Sequence, residues 1–239
     1  MSMTEEEIQQ MYQELEKGGV KFLPWIGGKY EEGIYYDEKG ELRCGNGKGK
    51  KVLVLGESFY WDDDDDGNGK MFIHDLIKDL VNPKFEFQPY KRTFIKFERA
   101  MTGKPWEKEE ETKRRIEFWE HIMFYNYVQE PLRGTRFSPT NEQYEKAKNA
   151  FFTLLKFLEP DYIIVWGMRL YNNLPQEGEQ GPDLEIDNDI YETWMYKVET
   201  KKIPFMAIYH PSVGFDWSYW NKLIVEFNKL LYDEQSKKK

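Results

Sequence analysis

Cysteine is almost missing from this chain. Cys44 is the only one in 239 residues. Its isolation excludes an intrachain disulfide, a Cys-held iron–sulfur cluster and a Cys-rich structural zinc site within one copy. Histidine is nearly as scarce: His74, His121 and His210 are the full set, and their contexts do not suggest a multi-histidine metal site. No apolar run approaches the roughly 20 residues that a membrane-spanning helix needs. The start, Met1-Ser2-Met3-Thr4-Glu5-Glu6-Glu7, lacks a signal peptide's basic head and apolar middle, so a cytoplasmic location is expected. Positive charge is also short. The chain has 34 Lys and Arg against 43 Asp and Glu, a formal net charge of −9. That weakens a general affinity for nucleic acid, which depends on cations meeting phosphates, yet it allows a local basic groove. No cofactor and no metal are expected.

What is present fits one substantial α/β unit. Hydrophobic residues make up 40% and aromatics 17%, enough for a large core. Residues 1–50 read as an N-terminal helix (4–17) followed by a glycine-rich looped extension with one or two short hairpins. From residue 51 onward apolar runs of strand length alternate with amphipathic stretches. Strands are expected at 52–55, 121–126, 162–166 and 204–209, with an edge strand over 191–198. Helices are expected at 71–80, 90–101 and 107–119, over a stretch capped by the Thr140/Gln143 box and stopped by Pro160, near Arg169, and after Asp216. The Pro/Gly/acid-rich segment 175–190 reads as a loop.

Three of these strands end on a compact polar group: Gly56-Glu57-Ser58, Tyr125-Asn126 and Tyr209-His210-Pro211-Ser212. If the strands are parallel, Glu57, Asn126 and His210 meet at the sheet edge where open α/β folds bind ligands. A carboxylate there can orient or activate water against a sugar carbon, or simply cap a helix or sit in a salt bridge at the strand end. A carboxamide can read the edge of an amide-like ring, or close the strand-end backbone. An imidazole can donate to a departing anion, or fix the Pro211-Ser212 turn. Ser212 serves either a phosphate or that turn. The run Asp62–Asp66 offers hard oxygen ligands but lacks the spacing of a calcium loop, so a solvated loop is expected.

Across most of 51–215 these motifs, in this order, resemble the uracil-DNA glycosylase superfamily, closest to the branch that carries an iron–sulfur cluster. Gly56-Glu57-Ser58 resembles its first motif, Gly69-Lys70-Met71-Phe72 its phosphate-side glycine and base-stacking segment, and Tyr125-Asn126-Tyr127-Val128 its base-recognition strand end. Arg136, Pro139 and Thr140 match its Arg–Pro–Thr/Ser spacing, and His210-Pro211-Ser212 its final motif. The resemblance implies a three-layer α/β/α sandwich around a central, mainly parallel four-stranded sheet. It implies a monofunctional glycosylase that hydrolyses the N-glycosidic bond of uracil or another damaged base in DNA. Glu57 and His210 are then catalytic. Gly56, Ser58, Phe59, Tyr60, Phe72, Asn126 and Ser212 contact substrate, and Lys70 and Arg136 contact phosphate. The chain departs from the branch in lacking the cluster cysteines and in placing Ser58-Phe59-Tyr60 where a small Ala-Pro-Gly turn is usual. Phe59 and Tyr60 either wall the pocket or block it. These departures, with the net acidity, leave a second expectation: an inactive or divergent relative that binds a nucleobase-like small molecule, a nucleotide or a protein partner.

Overall fold

The computed structural model describes residues 3–45, 47, 49–60, 69–82, 84, 88–105, 108–134, 137–187, 189–212 and 214–236, without the side chains of 108–111 and 232–236. The Asp62–Asp66 run and Arg136 lie outside the described residues.

The chain opens with α1 (Glu5–Lys17), started by a capping box in which the Thr4 hydroxyl accepts from the Glu7 amide and Glu7 accepts from the Thr4 amide. The short strand β1 (Trp25–Ile26) and the hairpin β2 (Ile34–Tyr36) and β3 (Leu42–Cys44) precede the first long apolar run, β4 (Val52–Gly56). Three helices, α2 (Phe72–Leu80), α3 (Lys91–Thr102) and α4 (Lys108–Glu120), lead to β5 (Ile122–Asn126). Then come α5 (Asn141–Leu158), β6 (Tyr162–Trp166) and the one-turn α6 (Met168–Asn172). Five strands follow: β7 (Gly178–Gln180), β8 (Leu184–Ile186), β9 (Asp189–Tyr191), β10 (Trp194–Val198) and β11 (Lys201–Ile208). The helix α7 (Trp217–Ser236) closes the described chain, and Asp216 caps it by accepting from the Ser218 and Tyr219 amides.

Strands β5, β4, β6 and β11 lie side by side and parallel in that order. β4, β5 and β6 are buried at every residue, as continuous apolar runs require when both faces are covered. The expectation of a four-stranded sheet is corrected, because among the described residues the sheet has seven strands in the order β1-β5-β4-β6-β11-β10-β7, of which the central four are parallel. β1 adds antiparallel to β5 on one side, and β10 and β7 add antiparallel beyond β11 on the other. The segment 175–190, expected as loop, instead supplies β7 and most of the separate β8–β9 hairpin.

Alternation along the parallel strands builds two cores. Val52, Val54, Ile122, Phe124, Ile164, Trp166 and Ile208 face α2, α3, α4 and α7. Leu53, Leu55, Met123, Tyr125, Ile163, Val165 and Phe205 face α1 and α5. Helices thus cover both faces of a mixed, centrally parallel sheet. The chain leaves β4 toward the first face and leaves β5 and β6 toward the second, so the loops diverge around the carboxyl end of β4. Ligand crevices of open α/β sheets form at such divergences. Between α3 and α4 the buried Glu98 carboxylate accepts from Arg115 Nε at 2.9 and 3.0 Å and from Trp119 Nε1 at 2.8 Å. Among the described residues no helix is long and apolar enough to cross a membrane.

Candidate functional site at the strand carboxyl ends

Strand register brings the first two predicted residues together. Gly56 pairs with Asn126 across β4 and β5. Pairing continues past the strands, with the Tyr127 amide donating to Gly56 O at 2.9 Å and the Val128 amide to Glu57 O at 2.8 Å. A Cβ at position 56 would stand 2.3 Å from Asn126 Oδ1, so glycine is needed for the carboxamide to lie over the strand end. Asn126 is 6% exposed, and among the described residues its carboxamide has no hydrogen-bond partner. Its backbone carbonyl accepts from Gln129 Nε2 at 2.9 Å, while Gln129 Oε1 accepts from the amides of Lys21 and Phe22.

Glu57 is held from two sides. Tyr144 of α5 donates its hydroxyl to Oε1 at 2.6 Å. Arg169 of α6 donates Nε to Oε1 at 2.8 Å and Nη2 to Oε2, a two-point grip on the carboxylate. The third guanidinium nitrogen, Nη1, reaches Ser138 Oγ at 2.6 Å. The pairing raises the Arg169 pKa above its ordinary value, and burial, reinforced by the bond to Glu57, raises that of the Tyr144 phenol. Gly167 precedes α6 with φ 98°, a left-handed conformation that favours glycine and turns the chain from β6 toward Arg169.

His210 follows the end of β11. Its ring stands edge-on to Trp166 at 6.1 Å between centroids. His210 is exposed. The part of its ring packed against the protein lowers its pKa, Glu57 pulls the other way and Arg169 adds to the lowering. A lowered pKa favours the neutral imidazole at pH 7, with one nitrogen to donate and one to accept. Ser212 completes a tight turn in which its amide donates to His210 O at 2.6 Å. Lys96 of α3 donates to the Ser212 carbonyl.

The aromatic candidates divide. Phe59 is buried, in contact with Phe22 at 4.3 Å and stacked on Phe72 at 5.2 Å. Phe72 is half-buried in that stack and also packs against the core of the first face. Ser58 is half-buried in the same loop. Tyr60 is exposed and bridges to Leu132. Lys70 is ion-paired with Glu16 of α1 at 2.5 Å. The loops after β4, β5, β6 and β11 each present a large exposed apolar side chain: Tyr60, Phe137, Met168 and Tyr209.

Four adjacent parallel strands therefore end in Asn126, Glu57, Arg169 and His210. Sequence reasoning picked out three of the four. Arg169 was missed, although it follows the third apolar run after a turn glycine, and that placement was the available signal. Tyr144 was read only as part of a buried helical stripe. The set offers an open carboxamide, a neutral imidazole and a carboxylate–guanidinium pair, suited to a planar polar ring. No protein-family model matches the chain, and no curated protein is significantly similar to it.

Proposed function

We propose that this edge holds a nucleobase-like ring in a uracil-DNA glycosylase-like frame and hydrolyses its N-glycosidic bond. The observation that carries the reading is the open Asn126 carboxamide beside Glu57 and the neutral His210, at the ends of neighbouring parallel strands. Asn126 pairs with the ring edge, and the exposed Tyr60 and Phe137 offer faces on which it stacks. Water bonds to the anomeric carbon as the carbon–nitrogen bond breaks, the electron pair of that bond leaves with the base, and the proton the water sheds passes to the Glu57 carboxylate and on to solvent. His210 donates a hydrogen bond to the ring oxygen that gains charge, while Glu57 faces the positive charge growing on the sugar and orients the water. The base anion then takes up a proton from solvent. Among the described residues Oε2 of Glu57 accepts only from Arg169 Nη2, which leaves it a lone pair for the water. A base in duplex DNA must first leave its stack to enter such an edge. The iron–sulfur cluster of the resembling branch does not fit this chain, whose lone Cys44 cannot ligate it.

The test uses purified protein with single-stranded and mismatched uracil DNA. Wild type releases free uracil, and E57A or H210A lowers the rate by about 100-fold or more. No release across a panel of damaged bases would overturn the catalytic reading. A second reading, binding without turnover, is favoured by one observation: both Glu57 oxygens already accept hydrogen bonds, from Tyr144 and Arg169. It expects saturable binding of free uracil or nucleosides that is lost in N126A, with no base release.

A further inference from the structure

A concave region lies away from the strand carboxyl ends and plays no part in the chemistry above. It encloses about 710 Å³, between the β2–β3 hairpin and the stretch from the end of α3 into α4. Its described lining includes Tyr35, Leu42 and Phe118 as apolar wall, and Lys104, Lys113 and Arg114 as cations. The volume falls within the range of small-molecule sites, roughly 300–1,000 Å³. Its place in the fold is set by the hairpin. Ile34 bridges to Lys50, two residues before β4 begins, so the hairpin sits at the amino end of the sheet. Along α3, Lys96 touches the Ser212 turn while Thr102 lines this cavity, a rise of about 9 Å along the helix.

The charge distribution selects the ligand. Arg43 also lines the cavity, but its guanidinium is taken up by Asp37 at 2.8 Å and Glu41 at 2.6 Å. Lys104 and Lys113 have no ionic partner among the described residues, and Arg114 makes only a long contact of 3.5 Å to the Pro105 carbonyl. In α4, Lys113 and Glu117 lie one turn apart, as do Arg114 and Phe118, so cations and ring present one face. Glu117 is the one carboxylate in the described lining and can accept from a hydroxyl or amino group. Among the described lining residues, Lys104, Lys113 and Arg114 face a single carboxylate, a local excess of positive charge in a chain of net charge −9.

We propose that this cavity binds a phosphorylated small molecule of nucleotide size. Its phosphate meets Lys104, Lys113 and Arg114, its flat or apolar body lies against Tyr35, Leu42 and Phe118, and a donor on that body meets Glu117. The claim stands apart from the glycosylase reading, since no strand-end residue takes part.

Cys44 also lines the cavity and is the chain's only cysteine, so its modification reports on this place alone. The experiment titrates the full chain with adenosine diphosphate, inorganic pyrophosphate and adenosine by calorimetry, and follows maleimide labelling of Cys44 with and without each probe. Adenosine diphosphate is expected to bind saturably and slow the labelling, with adenosine at least about tenfold weaker and K104A or K113A weakened by about tenfold each. N126A is expected to bind as wild type does. Circular dichroism of the lysine variants separates lost binding from lost fold. The proposal is overturned if neither phosphorylated probe saturates. It is also overturned if binding leaves Cys44 labelling unchanged and survives both lysine substitutions, or if a short single-stranded oligonucleotide binds where the small probes do not.

Discussion

At the scale of single residues, the pair Glu57–Arg169 governs the site more than either group alone. His210 senses both, since the carboxylate favours its protonated form and the guanidinium opposes it. R169Q should therefore raise the His210 pKa and E57Q should lower it further, read from the pH titration of its ring protons by NMR; shifts in the same direction for both variants would contradict this geometry. His210 and His74 are both lowered in the fold, so the folded state binds fewer protons than the unfolded chain near their ordinary value of about 6.5. Their contribution to stability is complete above that value and is lost as pH falls through the lowered values. Glu57, Asn126 and His210 were legible because a polar residue directly after an apolar run is a local event. Arg169 was not. Its place after the third apolar run and Gly167 was a weaker local signal, and its partner Glu57 lies 112 positions away.

At the scale of elements, the buried Glu98–Arg115–Trp119 group joins α3 to α4 and thereby fixes the path between β4 and β5. Removing the carboxylate takes away the acceptor of Arg115 Nε and of the Trp119 indole N–H in the core. E98A should cost about 3–5 kcal/mol in chemical denaturation, as for other broken buried ion pairs. A loss within about 0.5 kcal/mol would mean that water replaces the carboxylate. Most helices were readable from apolar spacing, and the Thr140/Gln143 capping box marked the start of α5 as expected. Of the short strands, the β2–β3 hairpin was readable as one of the expected hairpins, while β1 and β7 were not, for a physical reason. β7 is Gly-Glu-Gln and exposed at every residue, so it carries no alternation to detect. β1 is two residues long and is defined by its neighbour β5 rather than by its own sequence.

At the scale of the whole molecule, the residues before β4 are built into the structure that follows. β1 extends the central sheet, and Tyr12, Leu15, Val20, Leu23 and Ile26 fill the core beneath α5. A chain starting at residue 51 should lose cooperative thermal unfolding and expose apolar surface to a dye such as ANS; a sharp transition for that fragment would show that the first 50 residues are dispensable. The four parallel strands were predictable because each is a dense apolar run. The edge strand expected over 191–198 appears as β10 beside β11, whereas the closing of the other edge by β1 was not legible, because β1 pairs with β5 far along the chain. The Gln129 side chain, gripping the amides of Lys21 and Phe22 with its oxygen and the Asn126 carbonyl with its nitrogen, gives this architecture a mechanical meaning. One amide thus ties the backbone at the end of β5 to residues 21 and 22, so the proposed binding edge and the opening stretch of the polypeptide share a single fastening.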